Sequence, residues 1–158
     1  MEHKIEYVEN DLVRIAKREN NMRRKYLVVN PLQGKHVPVV PSKALKLFTD
    51  LADVFRNEYK NEKLLLVGFA ETATAIGAQA AISVGAKYIQ TTREVIPNVE
   101  YLFFSEEHSH ATEQKLVKDD IDSIVDEIDR IVFVEDEVTT GNTILNIINI
   151  LDREYTGK

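Results

Sequence analysis

Continuous apolar runs and helical spacings alternate along this chain. Residues 64–69 and 131–134 are apolar without interruption, which is typical of strands buried on both faces of a parallel sheet. Shorter β-type runs lie at 87–91 and 101–104. Helical spacing predicts helices over 42–59, 72–84, 121–128 and 142–151, and we expect the last to be largely covered because it is so apolar. This alternation predicts an α/β fold with a central, mainly parallel sheet flanked by helices.

The first forty residues carry a different pattern. Ile5, Val8, Leu12 and Ile15 recur at helical spacing, which predicts an N-terminal amphipathic helix that ends near residue 20. Two short β-type runs at 26–29 and 37–40 are each stopped by a proline, and together they predict a small hairpin-like hood over about 25–41. No repeat or linker divides the chain, so we expect one domain over 1–158, with its core at about 42–153.

Composition and charge narrow the class of protein. With 44% hydrophobic and 29% charged residues, the chain has ordinary globular composition, and zero cysteines exclude disulfides, zinc fingers and thiol nucleophiles. No apolar run approaches the ~20 residues of a membrane span, so we expect a cytoplasmic protein without a membrane partner. The net charge of −6 disfavours nucleic acid as a ligand. We interpret the basic cluster within 14–25 as a solvated helix face, with phosphate contact as the alternative.

The stretch 131–143, I-V-F-V-E-D-E-V-T-T-G-N-T, is the most informative for chemistry. A buried strand delivers Glu135 and Asp136 to the carboxyl edge of the sheet, where open α/β folds bind ligands. The turn 139–143 then opens a helix, and its backbone N–H groups and hydroxyls form an anion site that suits a phosphate monoester. Carboxylates repel phosphate but accept hydrogen bonds from a diol, so a ribose 5-phosphate fits both halves. Helix-capping or solvated acids are the alternative interpretation.

Two further segments carry candidate chemistry. The turn that contains Ala70, Glu71, Thr72 and Ala73 again separates a buried strand from a helix start, so it is a second candidate anion site, with an ordinary N-cap at Thr72 as the alternative. The polar loop 105–112 contains His108-Ser109-His110. A transition-metal site with Glu106 or Glu107, or an ordinary exposed loop, are both open interpretations of these histidines.

The string 131–143 resembles the phosphoribosyl-diphosphate (PRPP) signature of the type I phosphoribosyltransferases: four hydrophobic residues, two acids, two variable residues, then T-T-G-x-T. The resemblance implies that Glu135 and Asp136 hold the ribose hydroxyls and that the turn at 70–73 binds pyrophosphate. It also implies Mg²⁺ held mainly by PRPP, with no direct protein ligand expected, and a homodimer. The residues implied to bind the 5-phosphate are Thr139, Thr140, Gly141, Asn142 and Thr143. A flap would contact pyrophosphate through Arg93, His108, His110 or Lys115.

Segments 30–39, 68–73 and 106–111 look like a bacterial branch related to orotate phosphoribosyltransferase, often encoded near tellurite or stress-resistance genes. Lys35 and His36, in the first segment, are candidates to contact the base. Related 6-oxopurine enzymes have an aspartate base at the position of Thr139, so the resemblance favours an orotate-like acceptor. Members of the family usually continue for at least one more strand, so we expect either part of a longer fused protein or a minimal variant with a bare sheet edge.

The predicted function is transfer of the phosphoribosyl group of PRPP to a nitrogenous base, with release of pyrophosphate. No residue stands out in the sequence as a general base. The alternative from another class is a PRPP- or nucleotide-sensing module that keeps the binding site without catalysis. A third hypothesis is an unrelated nucleotide-binding α/β domain.

Overall fold

A computed structural model describes residues 7–19, 22, 25–35, 37–104 and 114–156. Its strands are β1 Arg14–Lys17, β2 Tyr26–Val29, β3 Leu64–Gly68, β4 Lys87–Gln90, β5 Tyr101–Phe103, β6 Lys115–Val117 and β7 Arg130–Val134. Its helices are α1 Glu9–Leu12, α2 Pro41–Arg56, α3 Thr74–Val84, α4 Lys118–Asp122 and α5 Asn142–Glu154, with a 3₁₀ turn at Val125–Glu127. No helix within these ranges is long and apolar enough to cross a membrane.

The centre of the fold is a three-stranded parallel sheet in the order β4-β3-β7. In its register Leu65 lies opposite Lys87 on one side, and Leu64 lies opposite Arg130 on the other. All five residues of β3 are buried because the strand has a neighbour on each edge and helices on both faces. The predicted α/β architecture with a mainly parallel sheet is therefore confirmed.

Alternate side chains of β3 serve two separate cores. Leu65 and Val67 pack into a cluster that includes Leu116, Ile147 and Leu151 from β6 and α5. Leu64 and Leu66 face the other way, into a cluster formed largely by α2 and α3. This two-sided burial explains why the run at 64–69 has no polar position.

The helix ends follow local rules with one correction. Gly85 ends α3 in the left-handed region at φ +70°, as the sequence predicts, and its N–H donates to the carbonyls of Ala81 and Ile82. Serine is a common helix cap, and the sequence offers Ser42 for α2, but Val40 occupies the cap position and Pro41 is the first helical residue. Proline is well suited there because its fixed φ matches the helix and it has no N–H to leave unpaired.

The predicted N-terminal helix is wrong in its main part. The described helix α1 has only four residues, and Ile15 lies in β1, with 74% of its surface exposed. Strand β1 pairs antiparallel with β2, and Ile15 lies opposite Val28. The alternation of Val13, Arg14 and Ile15 fits a short strand, and pairing with the distant strand β2 selects the strand over the helix. Ile5 and residues 20 and 21 are outside the described residues.

The hood consequently differs from the predicted one. The sequence predicted a hairpin between the runs at 26–29 and 37–40. In the structure β2, which is the run at 26–29, pairs with β1, and residues 37–40 form no strand. Arg14 and Lys17 belong to a strand, so the interpretation of the basic cluster as a helix face is also wrong.

Burial near the C-terminal elements is lower than predicted. Only Val134 of β7 is buried, because β7 lies at one edge of the described sheet. Helix α5 buries Ile147 and Leu151 but leaves Leu145 55% exposed, so it is amphipathic rather than largely covered. The predicted helix over 121–128 is divided between α4 and the 3₁₀ turn.

Strand β6 was not predicted. It pairs antiparallel with β5 in a separate two-stranded sheet, and a backbone bridge between Thr92 and Lys115 joins its start to the end of β4. With three residues, β6 is too short to show a periodic pattern.

Candidate functional site

Two turns leave the same edge of the central sheet from neighbouring strands. Strands β3 and β7 run parallel, and their last residues, Gly68 and Val134, lie opposite each other. The N–H of Phe69 extends this pairing by donating to the carbonyl of Val134 at 3.0 Å. The turn at 70–73 and the segment 135–143 therefore begin side by side, as the sequence predicts for the carboxyl edge of a parallel sheet.

The turn at 139–143 forms a small anion-competent cavity at the start of α5. Gly141 is the N-cap residue with φ +77°, and no side chain caps the helix. Among the described residues, the N–H groups of Thr143 and Ile144 have no hydrogen-bond acceptor. The cavity of about 60 Å³, several times the roughly 10–15 Å³ that one water needs, is lined by Glu135 and residues 137–144. Unpaired N–H groups at a helix start attract a phosphate group.

The two acids 135 and 136 lie in different electrostatic settings. Burial, followed by a hydrogen bond with Asp136, raises the pKa of Glu135 to about 7. Burial alone would also raise the pKa of Asp136, but hydrogen bonds with Lys35, Glu135 and Thr72 hold it below its usual range. Asp136 is therefore ionised at neutral pH, whereas Glu135 changes its charge near neutral pH.

A loop of the hood reaches this acidic pair. The Nζ atom of Lys35 donates to Oδ2 of Asp136 in an ion pair, and Nε2 of Gln33 lies 3.5 Å from the Asp136 carbonyl. The predicted base contact Lys35 thus lies directly at the predicted ribose site. His36, the second predicted base contact, is outside the described residues.

The middle of the turn at 70–73 is exposed. Ala70 and Ala73 are buried, whereas Glu71 and Thr72 are exposed, and the peptide bond between Ala70 and Glu71 is cis. Within the described part of the chain, the N–H groups of Glu71 and Thr72 have no acceptor. Two free backbone donors beside the ribose site suit a second anionic group.

Two of the four flap candidates, Arg93 and Lys115, lie within the described residues. Arg93 is exposed and follows Thr92, whose backbone pairs with that of Lys115. Lys115 is buried, and its Nζ atom lies 4.5 Å from the ring centre of Tyr101. No contact found among the described residues joins Arg93 or Lys115 to the acidic pair. The candidates outside the described ranges are His108 and His110, and the alternative metal ligands Glu106 and Glu107 are outside them as well.

Three polar side chains at the site were given no role by the sequence. Thr91 and Gln114 bond the backbone of Ala70, and Gln33 contacts the backbone of Asp136. Thr91 follows β4, the neighbour of β3, so the predicted parallel sheet contained a signal for its position. Gln33 and Gln114 lie in short irregular segments, and no spacing pointed to them.

A model of the phosphoribosyl transferase family matches residues 12–158, so the chain belongs to that family. A solved structure of similar fold is the adenine phosphoribosyltransferase from Rhodothermus marinus DSM 4252, with a TM-score of 0.59 and 16% identity over 91% of this chain and 76% of that one. At this identity the similarity shows a shared fold. A search of curated proteins found no match. The family expected from 131–143 is confirmed, and the narrower orotate-related branch stays a prediction.

Proposed function

We propose that this chain transfers the phosphoribosyl group of PRPP to a nitrogenous base and releases pyrophosphate. The observation that carries the proposal is the meeting of two anion-competent turns and an acidic pair at one sheet edge, set by the pairing of Gly68 with Val134. PRPP has a matching arrangement of groups: a phosphate, a ribose diol and a diphosphate. Membership of the phosphoribosyl transferase family supports the same substrate.

Each part of the site has a proposed role in binding. The 5-phosphate binds the turn 139–143 at the start of α5, and the diphosphate binds the free N–H groups of Glu71 and Thr72. Glu135 and Asp136 accept hydrogen bonds from the ribose hydroxyls. Carboxylates at the ribose also favour the positive charge that develops on the sugar as pyrophosphate departs. Fixing the phosphate and the diphosphate on turns from paired strands orients the ribose–diphosphate bond, which breaks when the base attacks the ribose.

We propose Mg²⁺ as the cofactor, held mainly by PRPP. The oxygen-rich acidic pair is compatible with a cation that prefers oxygen ligands and usually binds proteins through one or two carboxylates plus substrate phosphates. Within the described ranges, no group of three or more histidine, cysteine, aspartate or glutamate residues could hold the ion alone. When bound, Mg²⁺ would neutralise charge on the departing diphosphate.

We propose an acidic, orotate-like base as the acceptor. Lys35 supports this choice because it brings a positive charge to the ribose site, where it now pairs with Asp136. When ribose hydroxyls engage Asp136, the ammonium group of Lys35 becomes available to a carboxylate on the base. Thr139, exposed at the phosphate turn, offers no carboxylate to a purine. We further propose a cytoplasmic homodimer; the absence of cysteine fits a reducing compartment.

A PRPP- or nucleotide-sensing module is the second candidate, and one observation favours it. Lys115, predicted to contact pyrophosphate, instead packs against the rings of Tyr101 and Phe103. A site in which Lys115 does not reach the diphosphate would bind PRPP with Mg²⁺ but would stabilise the departing pyrophosphate less well.

The experiment that tests these functions measures pyrophosphate release from PRPP and Mg²⁺ with a panel of bases, alongside calorimetric titration of PRPP. We expect PRPP to bind at one site per chain and release of pyrophosphate to be fastest with orotate or a related acidic pyrimidine. Binding without turnover across the panel would favour the sensor. Absence of PRPP binding would overturn both functions, and size-exclusion chromatography with light scattering tests the homodimer.

A further inference from the structure

The backbone of Ala70, the hydroxyl of Thr91 and the side-chain amide of Gln114 form a closed ring of hydrogen bonds at the turn 70–73. The N–H of Ala70 donates to Oγ1 of Thr91 at 2.8 Å, and the Thr91 hydroxyl donates to Oε1 of Gln114 at 3.3 Å. Nε2 of Gln114 completes the ring by donating to the carbonyl of Ala70 at 2.9 Å. Each hydrogen bond in the ring has a defined direction, so the threonine hydroxyl and the glutamine amide are both oriented.

The ring joins three distant parts of the chain and is buried at Ala70 and Thr91, whereas Gln114 is half-buried. Thr91 is 0% exposed and Ala70 is 8% exposed, so water cannot readily replace these bonds. The backbone N–H of Thr91 also donates to the carbonyl of Gly68 at 2.9 Å, which fixes Thr91 to the end of β3. An unpaired buried N–H or carbonyl group costs about 1–3 kcal/mol, so the ring strongly favours one arrangement of the Ala70 backbone.

The ring leaves the outward face of the same turn unpaired. The N–H and the carbonyl of Ala70 both form hydrogen bonds within the ring, whereas the N–H groups of Glu71 and Thr72 have no acceptor among the described residues. Thr91 and Gln114 therefore determine where these two free donors lie, although neither side chain takes part in the phosphate turn or the acidic pair.

We propose that Thr91 and Gln114 are positioning residues that hold the turn at 70–73 ready to bind the diphosphate of PRPP. This inference rests on the proposed function, because it assumes that the turn receives the diphosphate. It assigns the two residues an effect on one half of the substrate only. The 5-phosphate binds the separate turn at 139–143, which shares no hydrogen bond with the ring.

The test compares two ligands in calorimetric titrations with Mg²⁺: pyrophosphate, which probes the turn at 70–73, and ribose 5-phosphate, which probes the turn at 139–143. Thr91→Val removes the acceptor for the Ala70 N–H at nearly constant volume, and Thr91→Ser restores it. We expect Thr91→Val to weaken pyrophosphate binding about tenfold or more, the effect of losing roughly 1.4 kcal/mol. Ribose 5-phosphate affinity is expected to stay within about twofold, and Thr91→Ser to bind both ligands like the wild type.

Gln114→Glu provides a second variant with a pH signature. An ionised carboxylate can still accept from Thr91, but it places a second acceptor against the carbonyl of Ala70. Protonation restores a donor, so we expect the deficit in pyrophosphate affinity, measured against the wild type at each pH, to shrink as the pH falls from about 7 to about 5. A merely structural defect would not recover in acid.

The controls are a threonine and a glutamine outside the ring. Thr92→Val removes a hydroxyl that accepts from the N–H of Glu94, and Gln79→Glu alters a side chain of α3 that donates to Thr49 of α2. Both are expected to bind the two ligands normally. Parallel losses for pyrophosphate and ribose 5-phosphate in the ring variants, or no loss for either, would overturn the positioning role. A wild type that binds neither PRPP nor pyrophosphate would instead overturn the proposed function.

Discussion

Gly141 and Gly85 allow backbone strain to be separated from ligand binding. Both have a positive φ, +77° and +70°, and a Cβ atom added at either would meet nothing within 4 Å. Gly141 begins α5 at the proposed phosphate site, whereas Gly85 ends α3 at the opposite edge of the sheet. Gly141→Val and Gly85→Val are therefore matched in strain and differ in their distance from the site.

The size of the expected effect follows from this conformation. A β-branched residue held in the left-handed region costs about 1–3 kcal/mol, and each kcal/mol shifts the Tm of a protein of this size by about 2–4 °C. We expect both variants to lose stability by similar amounts. Phosphate or sulfate at a hundred times its Kd would add about 2.7 kcal/mol to the wild type by mass action. Gly85→Val is expected to keep this protection, and Gly141→Val to lose it because its side chain occupies the phosphate position.

The assay is thermal unfolding of the three proteins in a series of phosphate and PRPP concentrations, with sodium chloride at equal ionic strength as the reference. The reasoning would be refuted if Gly141→Val were protected as well as Gly85→Val, because the turn at 139–143 would then not be the anion site. Equal loss of protection in both variants would also refute it, since the loss would then follow strain rather than position.

Four further predictions concern the acidic pair and its partners. Asp136→Asn is expected to weaken PRPP binding about ten- to a hundredfold in calorimetry, through loss of a charge-assisted bond worth roughly 1.5–3 kcal/mol, and to lower Tm modestly because the ion pair with Lys35 is also lost. The pKa of Glu135 in the folded state, about 7, exceeds its value in the unfolded state, so the folded state binds more protons between pH 4.5 and 7. The free energy of unfolding is therefore expected to fall as pH rises through this window. Urea titrations of Glu135→Gln are expected to show a flatter dependence on pH. Lys35→Met is expected to raise the KM for an acidic base while PRPP affinity does not fall; a proportional fall in PRPP affinity would contradict the base contact. Excess chelator is expected to lower PRPP affinity about tenfold or more, and unchanged affinity would argue against Mg²⁺.

The parts predicted correctly from the sequence depend on local signals. The uninterrupted apolar run of β3 indicated a central strand, and the acids and glycine within 131–143 indicated a ligand site at the carboxyl edge of the sheet. Since parallel strands end at one edge, the predicted parallel sheet also placed the two turns at the same edge. The structure agrees on these features because each was determined by residues close together in the chain or by a general rule of α/β folds.

The remaining features depend on partners far apart in the chain. Ile15 fits a helix or a strand locally, and only pairing with Val28 selects the strand. Lys35 and Asp136 are 101 positions apart, and no spacing rule relates them. The burial of β7 was overestimated because an apolar run does not reveal whether a strand lies at the centre of a sheet or at its edge. Gln114 likewise acquires its role from tertiary contact alone.

The pairing of β3 with β7 also determines when the site can exist during folding. At the start of these strands the backbone N–H of Lys63 donates to the side chain of Asp129, 66 positions along the chain, so this pairing closes a long loop. Closing a long loop lowers the entropy of the chain before the contacts that stabilise the pairing can form. Such non-local pairing therefore forms late compared with hairpins and helices. The hairpin of β1 and β2 and the isolated turns can form earlier, but neither turn alone presents the phosphate and diphosphate positions at a fixed separation. Ligand binding during refolding thus reports completion of the central sheet rather than formation of its separate parts.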